Sequence, residues 1–224
     1  MSATNNIRFA VPNAGEVSAI LLKPRGAQSL LVLVHGAGAG MNHPFMQSLA
    51  TELAAQKMAT LRFQFPYMER RRKIPDRPPV LTATIVAAVQ EASKAAPNLP
   101  LFAGGKSLGG RMTSLAASQQ PLGSVRGLVF FGFPLHAPNQ PGTKRAEHLR
   151  EVTVPMLFLQ GTRDAFADLK LLRPICADLG ARATLHVIET ADHSFHVLKS
   201  SGRSDEDVLQ ELSRTVAMWT QKFQ

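Results

Sequence analysis

Apolar residues run through this chain in short unbroken blocks: 17–22 (VSAILL), 29–34 (SLLVLV), 58–65 (MATLRFQF), 100–104 (PLFAG), 125–131 (VRGLVFF), 154–159 (VPMLFL) and 183–188 (ATLHVI), with a further short one at 7–11. Several are hydrophobic at every position instead of every second one, which predicts strands covered on both faces. Between the blocks, apolar residues recur at helical spacing over 43–57, 80–96, 108–119, 165–180 and 204–222. The last helix is the best marked. Ser204 followed by Asp205-Glu206-Asp207 predicts a capping box and an acidic first turn, and Val208, Leu212, Val216 and Trp219 form one apolar stripe. Strand–helix alternation of this kind predicts an α/β fold, a doubly wound, mostly parallel sheet flanked by helices. No Pro/Gly/Ser-rich linker divides the chain, so one domain over 1–224 is expected. The longest irregular segment, 133–150, is too short for a large cap domain.

In such a sheet, ligands and chemistry collect at the carboxyl ends of the strands. The segment FAGGKSLGGR (102–111) follows one of them and reads two ways. A phosphate-binding P-loop needs Gly-x-x-x-x-Gly-Lys-[ST], but counting back from Gly105 puts Pro100 where the first glycine belongs. Proline has no N–H to offer a phosphate there. The Gly-x-Ser-x-Gly reading requires a buried strand, a strained Ser turn, small residues at ±2 and a following helix. Gly105, Ser107 and Gly109 satisfy it, with Met112, Leu115 and Ala116 at helical spacing afterwards.

Three other loops agree with the nucleophile-elbow reading. His35-Gly-Ala-Gly-Ala-Gly40 follows the block at 29–34 and fails the dinucleotide fingerprint Gly-x-Gly-x-x-Gly. As an oxyanion loop it would offer the N–H of Ala37, with Gly38 the next candidate, beside the N–H of Leu108. Asp164 comes five residues after the block at 154–159, with Asp168 as its competitor. His193 lies in the loop after 183–188, with His186 and His196 weaker alternatives; Asp192 is adjacent to His193 and is not paired with it. The chain order Ser107, Asp164, His193 is the order of the Ser…Asp…His hydrolase set. In that reading His193 accepts the Ser107 proton and Asp164 holds the imidazole tautomer.

Composition narrows the setting. The 224 residues are 45% hydrophobic and 18% charged, enough to bury about 70% of the unfolded surface. No run approaches the ~18 apolar residues of a membrane span, and the N-terminal MSATNNIRFAVPNAGEV has no signal-like apolar core. The single cysteine, Cys176, excludes an internal disulfide and a cysteine zinc site and is expected as a buried structural thiol. A cytoplasmic protein without metal or cofactor is expected. The formal charge of +9 is densest at Arg70-Arg71-Arg72-Lys73 with Arg77, but no RNA-recognition signature, zinc-finger spacing or repeat accompanies it, so no nucleic-acid partner is expected.

Taken together, HGAGAG, GGKSLGGR, GTRDAFAD and ADHSFH, with PDRPPVL, resemble the α/β-hydrolase superfamily. The resemblance is to the small bacterial hydrolases similar to dienelactone hydrolases, and to the hydrolase-like domain of a subunit of a eukaryotic histone-acetylating (NSL) complex. It spans about residues 15–220 and implies the α/β-hydrolase fold, a Ser107–Asp164–His193 triad and hydrolase activity. Dienelactone hydrolases carry a cysteine nucleophile where this chain has Ser107, so lactone specificity does not follow.

The substrate expected is a small ester or thioester in a shallow site lined by Tyr67, Phe133, Pro134 and Leu135. The basic run 66–79 follows a strand and, with Arg71, Lys106, Arg111 and Arg163, is expected to put a positive field on the same rim and to favour anionic substrates. The alternative is that these arginines pair with Glu69 and Asp76 or are simply solvated. A different class of function is an interaction module using the basic surface, with the triad a remnant.

Overall fold

The unbroken apolar blocks at the centre of the chain's sheet serve two cores at once. In β3 (Ser29–Val34), Leu30, Val32 and Val34 face one cluster while Leu31 and Leu33 face another. The same two-residue alternation recurs in β6 (Val125–Phe131) with Leu128 and Phe130 against Val129 and Phe131, and in β7 (Met156–Gly161) with Met156 and Phe158 against Leu157 and Leu159. A strand that contributes to both cores has no face left for polar residues, which is why these runs do not alternate.

The computed structural model describes residues 3–223. The remaining strands are β1 (Ala3–Val11), β2 (Gly15–Lys23), β4 (Met58–Phe63), β5 (Leu101–Lys106) and β8 (Ala183–Ile188). All eight form one sheet in the order β1-β2-β4-β3-β5-β6-β7-β8. β1 and β2 are an antiparallel hairpin, and β2 runs antiparallel to β4. From β4 to β8 every pairing is parallel.

Helices close both faces. α1 (Pro44–Ala55) and α6 (Asp205–Gln221) cover one with Met46, Leu49 and Leu53, and with Val208, Leu212, Val216 and Trp219. α3 (Pro78–Ala95), α4 (Leu108–Gln119) and α5 (Leu169–Leu179) cover the other, after a single turn of helix α2 (Pro66–Glu69) that the basic run did not predict. The capping box of α6 forms as expected: Ser204 Oγ accepts from Asp207 N, and the Asp207 carboxylate accepts from Ser204 N. α5 starts later than the apolar spacing predicts, because the Asp168 side chain accepts from Lys170 N and caps the helix there. Asp168 is therefore a helix cap. Residues 133–150 hold turns and the start of a 3₁₀ segment, Lys144–Glu151, and no large cap covers the strand ends among the described residues. No helix among these residues is long and apolar enough to cross a membrane. Cys176 is buried on α5, and burial pushes its thiol up to about 11, which leaves it unreactive.

Candidate active site

At the end of β5 the chain turns sharply enough to put a non-glycine residue in a rare conformation. Ser107 has φ 51° and ψ −118°, and α4 begins at the next residue. Such a turn fits only if its neighbours have no side chains. A Cβ on Gly105 would lie 2.2 Å from the Val34 carbonyl oxygen, and one on Gly109 would lie 2.6 Å from that of His35. The Ser107 N–H is held by the Phe131 carbonyl at 3.1 Å, which ties the turn to β6.

The Ser107 hydroxyl meets an imidazole. Its Oγ is 2.9 Å from His193 Nε2, and His193 Nδ1 is 2.7 Å from Asp164 Oδ2. The Asp164 carboxylate has no exposed surface and accepts from three groups: His193, the Phe166 N–H at 2.8 Å and the Gln160 side-chain amide. An acceptor surrounded by donors assigns the His193 hydrogen to Nδ1 and leaves Nε2 free to accept from Ser107. The Phe166 ring lies 4.3 Å from the imidazole, tilted by 35°. Asp192 shapes the histidine's loop, accepting from the N–H groups of Ser194 and His196. The alternatives are spoken for elsewhere: His186 bonds Glu211 at 2.7 Å and His196 bonds Asp205 at 2.8 Å, both toward α6.

The glycine-rich loop after β3 packs against the elbow. A Cβ on Gly36 would be 3.7 Å from the Cβ of Ser107. His35 pins the loop from below: its Nδ1–H donates to the Gly36 carbonyl at 2.7 Å and its Nε2 accepts from Phe65 N at 3.2 Å. Burial pushes this imidazole down to about 4, so it stays neutral and keeps that donor–acceptor pattern. Gly38 N donates to Tyr67 Oη at 3.0 Å, and Gln64 and Arg62 hold Met41 through its N–H and carbonyl. Gly38 is thus already engaged, as is Ala39 through the Gly36 carbonyl, whereas the Ala37 N–H, like those of Gly36 and Gly40, is not taken by a protein acceptor. Leu108 stands at the first position of α4, where a backbone N–H has no intrahelical partner.

These parts surround a cleft of about 320 Å³, walled by Ala37, Phe45, Met46, Phe166 and Lys106 around Ser107 and His193. A family model described as an alpha/beta hydrolase domain matches residues 27–221, nearly the whole chain. The chain belongs to the α/β-hydrolase family. Solved structures agree on the fold of this α/β hydrolase. It is similar to a dienelactone hydrolase from Anabaena variabilis, with 19% identity, 99% of this chain and 98% of that one covered, and a TM-score of 0.77. An α/β serine hydrolase without a lid from Xanthomonas campestris matches at 19% identity, 97% and 94% coverage and a TM-score of 0.74. The esterase domain of a Rhodothermus marinus protein matches at 16% identity, 99% coverage of both chains and a TM-score of 0.73.

None of the four residues expected to line the site of this α/β hydrolase, Tyr67, Phe133, Pro134 and Leu135, lies in the cleft wall. Phe133 turns into the core, 1% exposed, packed edge-on against Phe130 and Phe158. Pro134 and Leu135 are absent from the cleft wall too. Tyr67 is fully buried and braces the glycine loop through its hydroxyl. Arg71 is exposed on the far side of that loop, where the basic run packs toward β1 and β2: Arg70 donates to the Ala14 carbonyl, and Glu69 joins Arg8 and Ser18. Arg72 pairs with Asp76. Arg163 donates to the Thr190 carbonyl, and Arg111 lies beside Arg145 and His148. Among the described residues, Lys106 is the one lysine or arginine in the cleft wall.

Sequence reading also missed residues that shape the site. His35 carried a usable signal, since it stands between an apolar block and a glycine loop. Gln160, Phe166 and Gly132 carried none. Gly132 has φ 69°, and a Cβ there would press within 3.4 Å of both Asp164 Oδ2 and His193 Nδ1.

Proposed function

We propose that this α/β hydrolase is a serine hydrolase that cleaves small carboxylic esters or thioesters through an acyl-enzyme. The observation that carries the reading is the unbroken chain from Ser107 Oγ to His193 (2.9 Å) and from His193 to the buried Asp164 (2.7 Å). Ser107 attacks the acyl carbon while its proton passes to His193 Nε2; the tetrahedral oxyanion is met by the N–H groups of Ala37 and Leu108. His193 then delivers the proton to the departing alcohol or thiol, and a water repeats the sequence to release the acid. Asp164 keeps the imidazole in register and stabilises the imidazolium as it forms. The small cleft and its Phe45 and Met46 wall support short acyl groups over long ones.

A fluorophosphonate probe tests the reading directly. The wild-type chain is expected to label, and Ser107→Ala and His193→Ala to lose at least about 10³-fold in labelling rate. Failure of the wild-type chain to label would leave the interaction-module reading standing instead.

Preference for anionic substrates has a weaker basis. With Arg71 and its neighbours outside the cleft wall and the Lys106 Nζ enclosed, the long-range field of a +9 chain is what draws anions in. Matched anionic and neutral acetyl esters are expected to differ in kcat/KM by less than about tenfold at low salt, and to converge as the Debye length shrinks to ~3 Å at 1 M. A large preference surviving high salt would instead indicate a direct contact.

A further inference from the structure

Lys106 is unusual for a lysine. It occupies the last position of β5, directly before the nucleophile, and its Nζ is enclosed with no hydrogen-bond partner. Lysines are seldom buried unless paired, because an ammonium out of water needs compensation. Here the compensation is indirect. The Nζ stands 5.5 Å above the centre of the Phe195 ring, and a Cβ on Gly132 would lie 3.1 Å from it. That same point is 3.4 Å from Asp164 Oδ2 and from His193 Nδ1, so the ammonium and the bond that joins them crowd around one glycine. The titratable groups facing it are Asp164 from the loop after β7 and Asp192 from the loop after β8, with His193 beside the same glycine, Gly132. Gly36 of the glycine loop packs against its side chain and Gly132 after β6 lies against its Nζ, while His43, just before α1, lines the same cleft.

We propose that Lys106 is a positioning residue whose enclosed ammonium balances Asp164 and repels an incoming proton from His193, keeping the imidazole free to accept from Ser107 at lower pH. The physics is a matter of sign. With neutral His193, the buried carboxylate alone would attract a proton to the imidazole and remove the base; a cation beside the pair opposes that uptake. Burial pushes Lys106 down to about 8, with Asp164 and Asp192 drawing it partly back. The side chain therefore carries its charge throughout the acid limb, below that value, where the effect is needed. Because the Nζ is enclosed, a substrate anion does not reach it without displacing the wall, which makes it a part of the triad's setting and not an anion clamp.

The inference rests on the serine-hydrolase reading, and one experiment separates their failures. The rate of fluorophosphonate labelling is measured from pH 5 to 9 for the wild type, Lys106→Met, Lys106→Gln and Lys106→Arg, each with a melting curve. Lys106→Met is expected to move the acid limb up by about one pH unit, so labelling below the limb falls about tenfold while the plateau changes less than about threefold. Lys106→Gln, also neutral, is expected to do the same should Lys106→Met fold poorly, and Lys106→Arg to restore the wild-type limb. A limb unmoved in a folded neutral variant, or a loss equal at every pH, overturns the role of the charge. Absence of labelling in the wild type overturns the serine-hydrolase reading itself.

Discussion

Asp164→Asn is expected to lower kcat on a short-chain nitrophenyl ester by about 10³–10⁴-fold, with a melting temperature close to that of the wild type. The two carboxylate oxygens accept from Phe166 N on one side and from His193 and Gln160 on the other. An asparagine must turn its NH₂ toward one of those sets, so at least one donor faces another donor. If it turns toward His193, the imidazole is driven into the tautomer that cannot accept from Ser107. If it turns the other way, the tautomer survives but the negative charge that stabilises the imidazolium is gone. Removing that charge also pulls the acid limb down in pH, opposite to the direction expected for Lys106→Met. A fall smaller than about tenfold in a folded variant would mean that the His193–Asp164 contact is not used in the chemistry.

Gly104→Ala is expected to destabilise the chain by more than about 3 kcal/mol in urea unfolding, or to prevent folding outright. A Cβ at this position would lie 1.9 Å from the Val129 carbonyl oxygen on β6 and 2.7 Å from the carbon bearing it. Both are backbone atoms of a central strand paired to β5, so nothing can yield except the sheet itself. The next residue is squeezed from the opposite side, against Val34 on β3. The last residues of β5 therefore twist between two neighbours before the elbow, and paired glycines are what allow it. Gly142→Ala is the control: nothing lies within 4 Å of its Cβ, and its backbone is not left-handed, so a change below about 0.5 kcal/mol is expected. Equal effects at the two positions would show that backbone crowding is not the cause.

The elbow shows where sequence reading stops. The Gly-x-Ser-x-Gly spacing singles out Gly105 and Gly109, because any Ser turn between strand and helix needs small flanks. Gly104 lies outside that pattern, yet it has the tightest surroundings of the three. Its requirement comes from β6, a strand some 25 residues later in the chain, and no local pattern encodes it. The substrate-wall expectation failed for a related reason. Phe133 follows β6 as a loop residue should, but Gly132 at φ 69° reverses the chain and Gln160 holds the Phe133 N–H at 2.9 Å, so the ring enters the core. Tyr67 and Arg71 likewise follow a strand end, and the single turn of α2 carries them behind the glycine loop, away from the cleft.

Two-sided burial, which demands unbroken apolar strands, is written in the residues themselves, and so is the alternation of strand and helix. The connection rule for parallel strands then sends the loops bearing Ser107, Asp164 and His193 to the same sheet edge, so their shared location was legible before any coordinate. Only the tertiary structure decided which way each side chain leaves that edge, which oxygens meet which donors, and that Lys106 ends enclosed beside the acid–histidine pair. Those outcomes depend on turns of one or two residues and on backbone from distant strands closing to within a few ångströms. Hydrophobic periodicity carries no record of either.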